Sequence, residues 1–597
     1  MKRLYVGVCA SMLVVACQPS EGSGDSVATS STESGDGDGD GAGDGDGEGD
    51  GDGDPAGDGD GDASGDGDGD PSGDGDGDAS GDGDGDPGCA PEAPGPDDWS
   101  SALVYPGEDN YLVYESDDEG NRIPDFSYAG YHRGDVELPD LPVELELAPS
   151  GGDDTDMIQA ALDEVGELPL DEDGHRGAVL LGPGEYTIAG TLLVRASGVV
   201  LRGSGDGEDP MSDTILRAVG NTPNQRDVVV LGSGSHNRWS PELPDTRTNV
   251  TSELVPVGAF ELEVEAPENF SVGDHVVIYH PCTDAWLAAV DYGGTASDGP
   301  WEVGDQPLVF KREILAVEGS TLRFDAPLFN TLDRALSQAY VYVADRSELV
   351  TEVGIEDLRV DIETAGGEDE DHAWNAVVFV GVEDAWARRL TVLHYGLAGV
   401  DVRTGVQITV SEVDSFDPVA QLTGGRMYNF NVSGGQQILY QDCAARGGRH
   451  HFVSNGTSWT SGVVFHRSSS EQANTSSEGH RRWSMGLLFD SITDAPVSPG
   501  GRVLGLFNRG DYGTGHGWSA AHSVAWNYDA PEGTVIIQKP PTAQNYAIGG
   551  AAQVASGDAP PAPFNQPAGW IEGVNQAGLF PPSLYEAQLF ERQCPAP

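Results

Sequence analysis

Short runs of strand-forming residues recur through the second half of this chain, and glycine or polar turns separate them. The runs begin at intervals of roughly 15–30 residues, and no helical pattern long enough for an alternating α/β fold lies between them. One short strand cannot bury its own apolar face, whereas a stack of equivalent strands forms a continuous core. The spacing therefore predicts stacked parallel strands at 358–362, 376–380, 390–394, 406–410, 437–440, 463–466, 487–490 and 503–507.

A helix signal opens the folded part of the chain. Residues 153–156 supply caps and first-turn acids, and apolar residues follow at the i, i+3, i+4, i+7 positions of one helix face: Ile158, Ala161, Leu162 and Val165. Strand-like runs broken by glycine come next, at 178–181, 187–194, 198–202 and 214–217. The pattern predicts a short amphipathic helix followed by the first strands of the stack.

The stretch that reads GDDTDMIQAALDEV, GAVLLGPGEYTIAGTLLV and GVVLRGSG resembles the opening of pectate-lyase-like right-handed parallel β-helix proteins. The blocks GGRHHFV, HRRWSMGLLFD and NRGDYGTGHGW resemble blocks of secreted bacterial members of that superfamily. The resemblance implies an all-β, right-handed parallel β-helix in which the short helix caps the N-terminal end. It also implies activity on polysaccharides.

The spacing of the strand-like runs divides the folded chain into parts. We expect an N-terminal extension at 89–150, the first β-helix coils with their capping helix at 151–252, and an inserted small β subdomain at 253–346. The main β-helix with the active site then covers 347–560, and a C-terminal tail covers 561–597.

The first residues read as an export signal. Lys2 and Arg3 precede an apolar run that is too short to span a bilayer, and the run ends at Cys17. This ending resembles the lipobox of bacterial lipoproteins, which implies removal of residues 1–16 and lipidation of Cys17. Because Gln18 occupies the position where inner-membrane retention signals carry Asp, we expect an exported outer-membrane lipoprotein with a lipid anchor, facing either the periplasm or the exterior.

Residues 17–88 are predicted to be a disordered tether. They consist almost entirely of Gly, Asp, Ser and Pro, and no core could offset the entropy of ordering them. The alternating Asp resembles a calcium loop only superficially, because the closing Glu of such loops is missing.

The strongly acidic balance limits the partners of the chain. With 100 Asp+Glu against 30 Lys+Arg, the formal net charge is −70. Such a surface disfavours nucleic acid as a partner. We expect a monomer that acts on an anionic polysaccharide.

The cysteine pattern agrees with export. Besides Cys17, the predicted mature chain holds Cys89, Cys282, Cys443 and Cys594, whose spacing matches no metal motif. An oxidising compartment permits disulfides, and four cysteines allow three pairings. Cys89 and Cys594 bracket the folded region and could join its termini.

One window, residues 446–527, reverses the acidic character of the chain. It holds seven Arg against five acids, six of the 13 His and four of the 11 Trp. Guanidinium groups bind carboxylates and sulfates in a two-pronged manner, imidazoles move protons near neutral pH, and indoles stack on sugar rings. The window predicts a site for an anionic ligand. The alternative is a set of structural histidines and arginines that satisfy loop backbone.

Elimination from a uronate requires neutralisation of its carboxylate, a base for the adjacent carbon-bound proton, and a proton donor for the leaving oxygen. We therefore predict catalytic roles for His450, His516, His480, Arg449, Arg509 and Tyr512. Substrate-binding roles fall to Arg481, Arg482, Trp459, Trp483 and Trp518. No resident metal is assigned, although calcium could neutralise a uronate.

Two alternatives to a lyase stay open. A glycoside hydrolase needs two carboxyl groups at a controlled separation, and Asp490, Asp511, Asp414 and Asp417 are available. The Gly-His-Gly at 515–517 is similar to a polygalacturonase motif, but the paired Asp motifs of those enzymes are not evident. A noncatalytic glycan-binding or adhesion lipoprotein is the other alternative, because fold does not fix function.

Overall fold

A computed structural model describes residues 89–234, 241–295, 299–512, 515–558 and 566–595. Most of their strands join one continuous, predominantly parallel system that winds into a right-handed parallel β-helix. The predicted fold class is therefore confirmed. The predicted signal peptide, the lipidation site Cys17 and the tether lie outside the described residues. Within the described part of the chain, no helix has both the length and the apolar character needed to cross a membrane.

The N-terminal half contains the extension and the first coils. The helix α1 spans Thr155–Gly166 and buries the four residues predicted to face the core. A 3-10 helix lies at Tyr131–Gly134. The strands are β1 Val104–Pro106, β2 Leu112–Tyr114, β3 Val143–Leu147, β4 Gly177–Leu181, β5 Gly184–Ile188, β6 Leu192–Val194, β7 Val199–Arg202, β8 Thr214–Ala218 and β9 Asp227–Leu231.

An antiparallel subdomain interrupts the coils after β9. Its main sheet has the order β10-β17-β13-β14-β15-β12, and its first strand begins at Thr248, slightly before the predicted start at 253. The helix α2 spans Asp284–Ala289. The strands are β10 Thr248–Asn249, β11 Leu254–Val255, β12 Glu261–Glu263, β13 His275–His280, β14 Leu308–Glu318, β15 Thr321–Phe324, β16 Leu332–Asp333 and β17 Tyr340–Val343, with 3-10 turns at Pro267–Asn269 and Asp291–Gly293.

The remaining strands complete the solenoid. They contain the eight runs predicted from the sequence, with bounds shifted by a few residues and with the runs at 376–380 and 390–394 merged into one long strand. The strands are β18 Val350–Ile362, β19 Asn375–Leu393, β20 Ala398–Phe416, β21 Tyr428–Val432, β22 Gly435–Gln441, β23 Ala444–Arg446, β24 His450–Ser454, β25 Ser461–His466, β26 Ser469–Ala473, β27 Ser477–Gly479, β28 Ser484–Asp490, β29 Thr493–Pro496, β30 Arg502–Leu506, β31 Ala520–Ala521, β32 Val524–Trp526, β33 Asp529–Ile537, β34 Tyr546–Ile548, β35 Ala551–Ser556 and β36 Trp570–Glu572, followed by the helix α3 at Leu584–Gln593.

The coils stack into three parallel strips. The first strip passes through β4, β7, β18, β19, β20, β22, β25, β28, β32, β34 and β36, and the second through β5, β8, β18, β19, β20, β23, β26, β29, β33 and β35. The third strip passes through β6, β9, β19, β20, β21, β24, β27, β30 and β33. The long strands β18, β19 and β20 bend from one strip into the next.

Aromatic residues in register hold the coils together inside the solenoid. Phe430 lies opposite Phe452 in neighbouring strands, with ring centroids 5.4 Å apart and nearly parallel planes. Tyr440, Phe465 and Phe489 form a second stack at 5.0 Å spacings. These side chains belong to the one large apolar cluster that runs through the coils, which is the continuous core that the strand spacing predicts.

The two ends of the folded chain meet. Cys89 and Cys594 form the disulfide that was considered for the termini, whereas Cys282 and Cys443 are buried free thiols, so none of the three complete pairings is formed. The backbone of Trp99 exchanges hydrogen bonds with Gly578 and Phe580. Of the residues predicted as a C-terminal tail, those at 566–595 belong to the folded body, since β36 extends the first strip of the solenoid.

Candidate active site

Neighbouring coils gather several of the predicted site residues on the outside of the third strip. Tyr428 pairs with His450 across β21 and β24, and Val453 pairs with Glu478 across β24 and β27. Phe452 points into the solenoid core. Because successive side chains of a strand face opposite sides, Val453 and Glu478 lie on the outer face. His450 Nδ1 lies 3.4 Å from the Glu478 carboxylate.

A single buried carboxylate organises this cluster. Glu478 is 1% exposed, and its Oε1 lies 2.6 Å from His480 Nδ1, 3.1 Å from Arg509 NH1 and 3.4 Å from His450 Nδ1. Its Oε2 accepts a hydrogen bond from Ser476 Oγ at 2.8 Å. Burial opposes ionisation of Glu478, but the charge of Arg509, together with the hydrogen bond from Ser476, outweighs burial and holds the pKa of this carboxyl below its usual value. The cluster therefore contains a carboxylate anion.

His450 has a defined tautomer. Its Nδ1 lies 2.7 Å from the carbonyl oxygen of Ser476, and since a carbonyl can only accept, Nδ1 carries the proton. Nε2 then holds a lone pair, and it is buried without a hydrogen-bond partner among the described residues. Burial drives the pKa of His450 well below 6.5, so this imidazole is neutral at physiological pH.

The rings of His450, His480 and His516 form a continuous row. Their centroids lie 4.8 Å and 4.9 Å apart, and the Tyr428 ring contacts the first two. Burial, together with Arg509, lowers the pKa of His480 well below 6.5 and that of His516 to about 2. The row is therefore a chain of neutral imidazoles that runs from the interior of the cluster to His516, which is 8% exposed.

Arginines form the outer layer of the cluster. Arg449, Arg481 and Arg482 are half-buried, whereas Arg509 is 7% exposed. The NH1 of Arg449 lies 3.5 Å from the Tyr428 hydroxyl, and within the described part of the chain no carboxylate lies within ion-pair distance of Arg449. Arg481 donates from Nε to the carbonyl of Asn455 at 3.2 Å. We call Arg449, Arg481 and Arg482, together with the half-buried Tyr512, the arginine rim.

The predicted tryptophan platform for sugar rings needs correction. Trp459, Trp483 and Trp518 are each at most 4% exposed. Trp483 donates from Nε1 to Asn330 at 2.8 Å, and Trp459 packs against strands of the inserted subdomain. The large apolar area of these indoles serves to dock the subdomain onto the solenoid, so they offer no face to a ligand. Sequence alone missed this because the partner surface comes from a distant segment.

The cationic window is not one site. Several of its residues serve the scaffold elsewhere: His451 reaches Ser470 Oγ at 2.6 Å inside the coils, His466 contacts Ser583 near the C-terminal helix, Arg446 pairs with Asp417, and Arg467 pairs with Asp442. The structural interpretation of the window therefore holds for these residues. The row of imidazoles and the arginine rim are the part that converges.

Two of the acids considered for a hydrolase, Asp490 and Asp417, are held by scaffold residues. Asp490 is fully buried at the start of the C-terminal helix, where its Oδ2 accepts from Ser583 Oγ at 2.8 Å and from the backbone NH of Tyr585 at 2.7 Å. Asp417 is held by Arg446. Asp490 is thus a structural residue, and the carboxylate that does lie in the cluster is Glu478.

Sequence reasoning missed both Glu478 and Tyr428. Glu478 stands two residues before His480 in the run Ser-Glu-Gly-His, and this proximity was the available signal. Tyr428 gave no local signal, because only the coil register brings it beneath His450.

The cluster does not fit a divalent cation. One ligand atom each from His450, Glu478 and His480 lies within 4.8 Å of the others, as a metal site would require. However, Arg509 NH1 already lies 3.1 Å from Oε1 of Glu478 and pairs with this carboxylate. Calcium takes 6–8 oxygen ligands, whereas this cluster offers one carboxylate. The guanidinium supplies the positive charge that a metal would supply.

Comparison with known proteins adds little beyond the fold. No family model matches the chain. A dephospho-CoA kinase from Deinococcus radiodurans is 30% identical over 121 residues, which is 19% of this chain and 58% of the kinase. The chain thus spans less than two thirds of that protein.

Among solved structures, the tailspike gp49 of Pseudomonas phage LKA1 is 15% identical with a TM-score of 0.38, covering 67% of this chain and 64% of the tailspike. An alginate lyase from Paenibacillus sp. str. FPU-7 is 9% identical with a TM-score of 0.34, covering 73% and 98%. A polygalacturonase from Erwinia carotovora is 11% identical with a TM-score of 0.32, covering 74% and 98%. Likeness at this level carries no argument about activity, and the fold assignment rests on the strand pairing itself.

Proposed function

We propose that this protein is a polysaccharide lyase that cleaves an anionic polysaccharide by β-elimination at the arginine rim. The observation that carries the proposal is the layering of the site. Half-buried arginines that can bind an anion lie directly over a row of neutral imidazoles that can accept a proton.

The rim supplies the anion-binding step. Arg449 has a half-buried guanidinium and no carboxylate partner among the described residues, in a chain whose formal charge is −70. A uronate carboxylate or a sulfate would complete this group through charge-assisted hydrogen bonds. Neutralising the carboxylate also acidifies the proton on the adjacent carbon, which is the first requirement of elimination.

The burial of each imidazole suggests its role in proton transfer. His516 is the imidazole nearest the surface, so we assign the base to it, and His450, Glu478, His480 and Arg509 position it from below. The proton alpha to the carboxylate passes to His516, the C–H electron pair forms the new double bond, and the glycosidic C–O bond breaks as Tyr512 protonates its oxygen.

The low pKa of His516 in the free protein also implies that its strength as a base depends on bound substrate. Burial is the main cause of the low value, and Arg509, Arg481 and Arg482 lower it further. A bound carboxylate neutralises part of that positive field, so the pKa of His516 rises when substrate is present. The imidazole then becomes a stronger base in the complex than in the free protein.

The test is a panel of pectate, alginate, glycosaminoglycans, sulfated fucan and ulvan, with ultraviolet absorbance and reducing ends measured together. A lyase releases unsaturated ends that absorb, a hydrolase releases reducing ends that do not, and a binding protein releases neither. Adding a chelator in parallel reports any calcium requirement of the substrate complex.

Variants connect the activity to the site. His516→Ala is expected to lower kcat by about 10²–10⁴-fold. His522→Ala is the matched control, since His522 is also buried and lies in the same window, and its pKa responds to burial and Asp117, not to the rim. Equal activity of the parent and His516→Ala would remove the base assignment.

Substrate affinity gives a second, independent comparison. Arg449→Ala is expected to weaken glycan binding in a salt-dependent way, whereas Arg446→Ala, which removes an exposed guanidinium already paired with Asp417, is expected to leave binding unchanged. If the two variants bind alike, the rim is structural.

We also propose that the enzyme is anchored as a lipoprotein through Cys17, with residues 18–88 as its tether, on the basis of the sequence alone. Cys17→Ser should move the protein from the membrane fraction to the soluble fraction. Limited proteolysis of the anchored form should cut within the tether and leave the β-helix intact.

A further inference from the structure

A second cluster of imidazoles and carboxylates lies far from the arginine rim in the chain. It is built where the N-terminal extension crosses the first coils, and it combines His132 from the 3-10 helix, His175 from the loop before β4, Glu352 from β18 and Asp384 from β19. His132 Nε2 lies 2.8 Å from Glu352 Oε1, and His175 Nε2 lies 3.3 Å from Glu352 Oε2. His132 Nδ1 lies 3.7 Å from Asp384 Oδ1.

The two acids occupy one turn position on successive coils. Val353 pairs with Ala385, so Glu352 and Asp384 precede paired residues, and both have a positive φ, 57° and 51°. The next coils place Gln407 and Gln437 at the same position with φ values of 55° and 56°. An amide therefore suits this turn as well as an acid does. Among these four coils, the turn carries a carboxylate only on the two that face His132 and His175.

We propose that His132, His175, Glu352 and Asp384 form a binding site for a divalent transition-metal ion, with zinc as the first candidate. Imidazole nitrogens and carboxylate oxygens are the ligands that zinc takes in proteins. One ligand atom each from His132, Glu352 and Asp384 lies within 4.8 Å of the others, a span that small side-chain movements reduce to a coordination sphere.

The charge and the support of this cluster fit a cation. Two carboxylates and two imidazoles that are neutral when they ligate carry a formal charge of −2, unlike the rim cluster, where Arg509 occupies the carboxylate. The Tyr131 hydroxyl donates to Glu352 Oε2 at 2.5 Å and orients it, as outer partners of metal ligands do.

The ion can reach the site from solvent. The side chain of His132 is 36% exposed, whereas those of His175 and Glu352 are 12% and 8% exposed. Bound there, the metal would fasten the 3-10 helix of the extension to two coils of the solenoid. We therefore expect it to raise the thermal stability of the folded body.

The experiment uses the full chain after chelator treatment, with Co²⁺ as the spectroscopic probe and Zn²⁺ as the competitor. The Asp-rich segment offers only oxygen ligands to a divalent ion. Nitrogen ligands in a low-coordinate site, by contrast, give an intense visible Co²⁺ absorption. The expected result is one equivalent of absorbing Co²⁺ that Zn²⁺ displaces, together with a higher melting temperature in Zn²⁺.

Glu352→Gln is the test variant, because it places at this turn the residue type that the next two coils carry. It should weaken Co²⁺ binding by at least about 100-fold, because losing even a residue that only hydrogen-bonds to a metal ligand lowers metal affinity by up to about 100-fold. Glu412→Gln is the matched control, an exposed acid at a turn with a φ of 53°. A parent without the absorption, or equal binding by the two variants, would overturn the proposal. The parent measurement decides the question even if Glu352→Gln fails to fold, and neither result bears on polysaccharide cleavage.

Discussion

The pairing of Glu478 with Arg509 makes a sharp prediction about stability. Glu478→Gln keeps the size of the side chain and its acceptor for Ser476, but it leaves the guanidinium of Arg509 buried without a counter-charge. At 3.1 Å and an effective dielectric constant of about 20, the lost attraction is about 5 kcal/mol. Since removing one partner of a buried pair costs about 3–5 kcal/mol and the amide retains some hydrogen bonding, we expect a loss of about 3 kcal/mol.

Hydrogen exchange measured by mass spectrometry would locate this loss. A local opening free energy that falls by about 3 kcal/mol lowers amide protection by about two orders of magnitude, because 1.4 kcal/mol is tenfold. The fall should appear in peptides that cover β24 and β27. Glu471→Gln, an exposed acid in the adjacent strand β26, should change protection little.

A double-mutant cycle then isolates the pair. Glu478→Gln combined with Arg509→Met should be less destabilised than the sum of the two single variants, with a coupling of about 2 kcal/mol or more. A coupling near zero, or protection within threefold of the parent in Glu478→Gln, would refute the account of this cluster as an ion pair surrounded by neutral imidazoles.

Three further predictions concern the scaffold. A Cβ at Gly434 would lie 1.4 Å from the Trp459 ring, so Gly434→Ala should lower the melting temperature by several degrees in calorimetry, whereas Gly424→Ala, with open space around it, should not. Burial raises the pKa of Asp494 to about 7, so its stabilising contribution is fully present below about pH 4 and is lost as the pH rises toward 7. Asp494→Asn should therefore gain about 2–4 kcal/mol in unfolding free energy relative to the parent between pH 4 and pH 8, and a constant difference would contradict the raised pKa. Cys594→Ser should cost about 2–4 kcal/mol, measured by denaturation without reductant, and an unchanged midpoint would show that the disulfide adds nothing to the stability of the termini.

The coils were predictable because their signal is local and repeated. Apolar strand runs and turn residues recur along the chain, and the capping helix shows its own apolar periodicity at Ile158 and Val165. The disulfide could only be narrowed to three pairings, since the choice depends on where the chain ends meet in space. The boundaries of the inserted sheet were shifted because Thr248 pairs with a strand almost a hundred residues later.

The site was only partly predictable, because coil register creates it. Arg449, His450, His480, Arg509 and His516 attracted attention through residue type, and the structure brings them together. Residue type could not show that the indoles of Trp459, Trp483 and Trp518 would be buried where the inserted subdomain packs on the solenoid. Nor could residue type show that Glu478 would be the carboxylate shared by His450, His480 and Arg509. That arrangement follows from the pairing of β24 with β27.

The joining of the two chain ends has a consequence for how the protein is made. The ribosome delivers Val104 and Phe126 early, yet their apolar cluster also contains Leu584 and Tyr585, and the backbone NH of Phe126 donates to Gln588, which lies 462 residues later in the chain. The extension therefore waits with apolar side chains uncovered while hundreds of residues are added, and its closure is a late, long-range event. A chain that stops before Leu579 would retain its coils but lack this closure, so the C-terminal segment, rather than completion of the coils, sets the moment at which the apolar side chains of the extension are covered.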